Sequence, residues 1–274
     1  MEFKAFKMDG LGNDFIIIDQ RFQSIDLSKQ QIIKICDRNF IGCDQLIYIK
    51  KNRKIDAGLE FYNSDGSQSG ACGNGTRCVA YFLSKEKNTK EIIVWTTSGN
   101  LRSKIIGSNE VETEIGEPKL NWDQIPLSQN INTKNLGLKL IDNDGKEFIG
   151  GIAVNVGNPH VIFFLENIKN FNLEKLGPEI ENNNIFPDKC NLTLAEKIDK
   201  NLIKVRVWER GAGLTKACGT AACATAVAAN LDNLSNSRTE IEFSLGKLVI
   251  NIDEKNSIRM KGPVSNIEEI TINL

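Results

Sequence analysis

Two short runs, Cys72-Gly73-Asn74-Gly75 and Cys218-Gly219-Thr220, hold the residues best suited to chemistry in this chain. In each, a cysteine is followed by glycine and then by a stretch able to form a helix. Glycine opens backbone conformations closed to other residues and lets a ligand come close. A helix start offers several N–H groups with no partner inside the helix. Together with the positive end of the helix dipole, they suit a carboxylate. The same placement is expected to lower a thiol's pKa and make a thiolate accessible. Thr220 reads as a capping-type residue. Two such thiols facing one carboxylate-bearing carbon would work as a base and an acid. The thiolate would remove a proton from the carbon, and the thiol would return one to the opposite face. That chemistry is racemisation or epimerisation, with the developing enediolate held by N–H donors from both helices. The two titrations must be coupled, because one sulfur is ionised while the other is not.

The remaining cysteines, Cys36, Cys43, Cys78, Cys190 and Cys223, read as small core residues. Seven cysteines, an odd number, argue against a disulfide framework. No C-x-x-C is present and His160 is the only histidine, so no metal site is expected. The glycines between positions 70 and 75 do not match G-x-G-x-x-G, which removes dinucleotide binding.

The elements that must hold the two cysteines are written twice. LEFYNSDGSQSGACGNG (59–75) aligns with VRVWERGAGLTKACGTA (205–221), and Cys72 and Cys218 then stand 146 residues apart. The register extends outward, with Gln45-Leu46 on Asn191-Leu192, Gly12-Asn13 on Gly157-Asn158, and Pro118 on Pro263. Apolar runs at 15–18 and 161–164 follow the matched Gly-Asn pairs and read as strands. The alternation at 59–62 and 205–208 predicts half-buried strands. Further strands are expected at 92–95, 101–106, 111–115, 241–243, 248–252 and 257–260. Helices are expected from Gly75 to about Lys85 and over AACATAVAANL (221–231), the latter apolar on every side and therefore buried all round. The fold class is α+β: two homologous domains related by a pseudo-twofold, each a mostly antiparallel sheet wrapped around a central helix. The expected boundaries are 1–117 for the first domain and 118–263 for the second, with the tail 264–274 returning to the first. The stretches 120–150 and 165–185 offer no reading.

Composition agrees with a globular chain of 274 residues, 41% hydrophobic and 25% charged. Thirty-four basic against 35 acidic residues leave no general attraction for phosphate, so a nucleic-acid partner is not expected. No apolar run could span a bilayer, and MEFKAFKMDG lacks the apolar core of a secretory signal. A cytoplasmic protein with no membrane association is the expectation.

GLGNDF (10–15), CDQL (43–46), ACGNGTRC (71–78), GNPH (157–160) and WERGAGLTKACGTA (208–221) together resemble the diaminopimelate epimerase family, in family order over nearly the whole chain. The resemblance implies interconversion of LL- and meso-2,6-diaminopimelate without pyridoxal phosphate, any other cofactor or a metal, in bacterial lysine and peptidoglycan synthesis. It makes Cys218 the proton acceptor and Cys72 the donor in the LL-to-meso direction. His160 and Glu209 would tune the thiols. Asn13, Gln45, Asn63, Gly73, Asn74, Asn158, Asn191, Glu209, Arg210, Gly219 and Thr220 would bind the substrate. Chemically the set is apt: Arg210 can grip the distal carboxylate, while Glu209 and the asparagines offer acceptors to ammonium groups. A homodimer is common in the family.

Two other readings stay open on residues alone. A proline or hydroxyproline racemase would share the paired thiols, but has no use for polar groups far from the reacting carbon. A thiol-redox switch would use both cysteines, but gives no reason for two matched carboxylate-binding helix starts.

Overall fold

The computed structural model describes residues 1–70, 72–97 and 99–274; Ala71, part of the aligned motif, and Ser98 lie outside them. The chain divides into two compact units, Met1–Glu114 with Lys261–Leu274, and Ile115–Met260.

In the first unit, strand Asp14–Asp19 lies parallel to Gln45–Lys50, with Phe15 opposite Gln45. Gln45–Lys50 is in turn antiparallel to Ala57–Asn63, with Leu46 opposite Tyr62. Strand Glu268–Asn273 joins the same unit antiparallel to Glu2–Asp9, with Phe3 opposite Ile272. Helix α1 (Lys29–Cys36) opens on a capping box, Ser28 accepting from the Gln31 amide while the Gln31 side chain accepts from that of Ser28. Helix α2 (Gly73–Lys87) ends at Asn88 in the left-handed conformation, with Lys85 and Lys87 against its negative end. It packs against strands Glu2–Asp9, Asp14–Asp19, Glu91–Thr96 and Gly99–Gly107. Its first turn comes so close to the sheet that a Cβ on Gly75 would lie 2.7 Å from Ile47 Cδ1 and 3.0 Å from Phe61 Cε1. Only glycine fits there.

The second unit repeats this pairing at matched positions. Strand Pro159–Phe164 is parallel to Asn191–Lys197, with His160 opposite Asn191. Asn191–Lys197 is antiparallel to Leu202–Glu209, with Leu192 opposite Trp208. Even the short return strands agree, with Phe61 opposite Ser69 and Val207 opposite Thr215. The sequence repeat is therefore a repeat of strand register. Helix α3 (Leu173–Glu181) covers part of this sheet, and helix α4 (Gly219–Leu231) lies within it. Residues Ala221–Ala229 of α4 are all buried, against strands Ile152–Asn155, Pro159–Phe164, Asn191–Lys197, Arg238–Phe243 and Gly246–Ile252. Small side chains let five strands approach one helix, as expected of a stretch without a polar face.

Both central helices start earlier than their composition suggests, at Gly73 and Gly219. Glycine is a poor helix former, but here each glycine occupies the first turn, where packing sets the start. The stretches without a sequence reading contain α3 and a hairpin of Leu138–Ile141 with Glu147–Gly150. Trp208 lies over α3 at Gly177, where a Cβ would come within 2.2 Å of the indole. Among the described residues no helix is long and apolar enough to cross a membrane.

Candidate active site

Cys72 and Cys218 are the N-cap residues of α2 and α4. Their backbones take the same extended conformation, φ −142° and ψ 115° at Cys72 against φ −139° and ψ 117° at Cys218. Each carbonyl accepts the first bond of its helix, from Thr76 at 2.8 Å and from Ala222 at 3.1 Å. Neither cysteine side chain makes a capping hydrogen bond. Thr220 is therefore not the cap. It sits within the first turn of α4, with Oγ1 3.4 Å from Cys218 Sγ.

Around Cys72, the strand ends supply amides. Asn13 Oδ1 lies 3.7 Å from Cys72 Sγ and accepts from Asn74 Nδ2 at 3.3 Å. Gln45 and Asn63 face each other across the ladder, and Gln45 Nε2 donates to Asn63 Oδ1 at 2.8 Å. Asn63 Nδ2 donates in turn to Ser67 Oγ at 3.0 Å, whose own proton goes to Asp65 Oδ1. This one-directional chain fixes both amides and, among the described residues, leaves Gln45 Oε1 and Asn74 Oδ1 buried without a partner. Buried acceptors of this kind are costly unless something donates to them. An ammonium group is a fitting donor.

Cys218 is almost fully buried, and its thiol is pushed well above the ordinary value. Burial is the main cause and the charge of Glu209 the next, against a smaller opposing effect of the Thr220 hydroxyl. The expectation that a helix start lowers this thiol is thus corrected: loss of water and a neighbouring carboxylate outweigh the helix dipole. His160 shares a hydrogen bond of 2.8 Å between Nε2 and Asn158 Oδ1. Burial, with the Arg210 charge, depresses its pKa to about 3, so the ring is neutral. The neutral ring donates from Nε2 and, among the described residues, leaves Nδ1 buried without a partner. Asn191 Nδ2 donates to the Pro159 carbonyl at 2.8 Å, and its Oδ1 accepts from the Arg210 amide at 2.9 Å. Arg210 itself is exposed, with Nη1 donating to the Asp188 carbonyl at 2.5 Å.

Two groups that hold this region escaped the sequence reading. Glu181, at the end of α3, accepts from Trp208 Nε1 at 2.7 Å and from the Gly211 amide at 3.1 Å, so it pins the residues on both sides of Glu209 and Arg210. Ser67 orients Asn63. Ser67 carried a signal in the polar turn N-S-D-G-S, whereas nothing in LGPEIE marks Glu181. In the first unit Asn13 and Asn74 lie beside Cys72 while Gln45 pairs with Asn63, and in the second Thr220 and Glu209 act on Cys218 while Asn158 pairs with His160 and Asn191 with the Arg210 amide. The five other cysteines are buried in the core.

A unit repeated in register, with one thiol at the same backbone position in each copy, is compatible with the isomerases that racemise or epimerise amino acids, and the likeness to curated relatives places the chain among them. A hydroxyproline epimerase from Agrobacterium vitis shares the fold over 99% of this chain and 93% of its own, with a TM-score of 0.69 at 10% identity. The chain belongs to the diaminopimelate epimerase family, whose model matches residues 5–121 and 152–267. A diaminopimelate epimerase of Pelagibacter ubique is 67% identical over 274 residues, the full length of both chains. One from Acidiphilium cryptum is 39% identical over 96% of this chain and 94% of its own.

Proposed function

We propose that Cys72 and Cys218 are the acid–base pair with which this enzyme interconverts LL- and meso-2,6-diaminopimelate. The observation that carries the reading is the matched pair of cysteine N-caps, each with helix amides that no cysteine side chain caps. In the LL-to-meso direction Cys218 takes the α-proton and Cys72 delivers one to the opposite face. In reverse the roles exchange. Burial suits Cys218 to its part, because a thiolate deprived of water is a stronger base toward a weakly acidic carbon. Glu209 holds the proton on Cys218 until substrate arrives, and neutral His160 offers Nδ1 as a hydrogen-bond acceptor in the same unit. Gly73, Asn74, Gly219 and Thr220 contribute the helix-start donors for the reacting carboxylate. Asn13, Gln45, Asn63, Asn158, Asn191, Glu209 and Arg210 receive the rest of the substrate. The reaction needs no cofactor in this scheme. The enzyme works in the cytoplasm as a homodimer, the assembly common in the family, and sedimentation velocity checks that assembly.

The test is proton exchange. LL-diaminopimelate in D2O should lose its α-proton NMR signal with the enzyme as isolated, and Cys72→Ala and Cys218→Ala should each abolish epimerisation. Either single variant that still epimerises overturns the two-thiol scheme.

A further inference from the structure

Asn13 and Asp44 stand side by side because the strands they lead into, Asp14–Asp19 and Gln45–Lys50, are parallel neighbours. Asp14 and Asp44 clasp each other there. The Asp14 amide donates to Asp44 Oδ2 at 3.1 Å, and the Asp44 amide donates to Asp14 Oδ1 at 3.0 Å. Two carboxylates this close would repel, but Arg38 bridges them. It gives Asp14 two hydrogen bonds, at 2.6 and 2.8 Å, and Asp44 Oδ1 one at 2.6 Å. Burial works against ionisation of Asp14, yet the hydrogen bond and charge of Arg38 hold its carboxyl below the usual value.

Asp44 Oδ2, which takes the Asp14 amide, also faces Asn13, whose Nδ2 donates to it at 2.9 Å. A carboxylate has no proton to offer, so the amide cannot be turned round without setting two oxygens at that distance. The oxygen of Asn13 is thereby committed to the other side, where Cys72 Sγ lies 3.7 Å and Asn74 Nδ2 3.3 Å away. A carbonyl oxygen accepts from S–H and repels a thiolate, so it favours the neutral sulfur.

We propose that Asp44, fixed by Arg38 and Asp14, is a positioning residue that locks the Asn13 amide with its oxygen toward Cys72 and so keeps Cys72 protonated as the waiting acid. The proposal rests on the reading of Cys72 as one of the two acid–base thiols. Each thiol is thus kept neutral by a different neighbour, the Asn13 amide at Cys72 and the Glu209 carboxylate at Cys218. Other ionisable groups near the Cys72 end of α2 are Cys78, Arg77 and Asp9, and the substitutions below leave them in place.

The experiment measures the pH dependence of Cys72 alkylation by iodoacetamide in the full-length enzyme, read by peptide mass spectrometry. Cys72 is partly exposed, so the reagent reaches it. In Asp44→Asn one oxygen must serve both Arg38 and Asn13, and the amide lock is lost. The alkylation midpoint should fall by about one pH unit, the size of one neutral hydrogen bond. Turnover should fall about tenfold with little change in KM, as befits a group acting on the chemical step. Arg38→Gln alters an exposed side chain and decides the matter if Asp44→Asn does not fold; its midpoint should move in the same direction by less. A midpoint that stays put in the variants that fold overturns the positioning role while the two-thiol scheme stands. An active Cys72→Ala enzyme removes the scheme and the positioning role together.

Discussion

Gly177→Ala adds one methyl group beneath Trp208 and should act through the indole to the residues beside it. The new Cβ would lie 2.2 Å from Cδ2, 2.4 Å from Cγ and 2.6 Å from Cε3. Ordinary carbon contacts begin near 3.5 Å, so the ring must retreat by roughly 1.3 Å. Such a movement breaks the 2.7 Å bond from Trp208 Nε1 to Glu181. Overpacking costs about 1–3 kcal/mol, and a lost hydrogen bond to a charged acceptor about 1.5–3 kcal/mol. Alanine's better helix propensity returns about 1 kcal/mol. The balance is a loss of roughly 1.5–5 kcal/mol, which at the usual urea sensitivity moves an unfolding midpoint down by roughly 0.5 M or more. Tryptophan fluorescence in urea, with the slope of the transition compared between proteins, measures it. Because Trp208 precedes Glu209 and Arg210, kcat/KM should fall as well. A midpoint and kcat/KM both equal to those of the parent would show that α3 does not hold this strand end, and the argument from Gly177 would fail.

Three further outcomes are expected. Cys78→Ala and Cys223→Ala should cost about 1–3 kcal/mol in stability and keep most turnover, so loss of turnover in a well-folded variant would give these core thiols a chemical part. Arg210→Lys keeps the charge but loses the planar fork, and steady-state kinetics should show a KM for diaminopimelate raised at least about tenfold, where an unchanged KM would remove Arg210 from substrate binding. For His160 the folded pKa, about 3, lies below the ordinary 6.5, so its contribution is complete above 6.5 and is lost as pH falls toward 3. Between those values the ring should make stability fall by about 1.4 kcal/mol per pH unit, and an equally steep fall in His160→Gln would contradict a buried neutral ring.

Much of this was legible because the chain states its plan twice. Any single match between the halves could be chance, but Leu46 and Tyr62, and Leu192 and Trp208, occupy one alignment and prove to be cross-strand partners in their own units. The alanine-rich stretch of α4, without a charged residue, reads as a buried helix. What escaped did so for local reasons. Gly177 and Pro178 inside α3 are the two residues least compatible with a helix, and the packing of Trp208 overrides them. Helix α1 had its sign in Ser28 and Gln31, three apart, and in Ile32, Ile35 and Cys36 on one face, but it is only eight residues long, too short for a sustained periodicity. The raised thiol of Cys218 was not readable either, since burial and the approach of Glu209 are properties of the folded unit and not of the spacing between the two residues.

The pairing of Glu268–Asn273 with Glu2–Asp9 has a consequence for how the chain matures on the ribosome. The second unit has all its strands once residue 260 has been made. The first unit, begun with the opening residues, waits for a partner strand encoded more than two hundred residues later. Its first strand carries an unfinished edge through most of synthesis, open to the mispairing that threatens unpaired strands in nascent proteins. Glu2, Lys4 and Lys7 place charge along that strand, a feature that discourages mispairing of an open edge. The sheet that carries Asn13 and Gln45 is complete only when Glu268–Asn273 pairs with Glu2–Asp9.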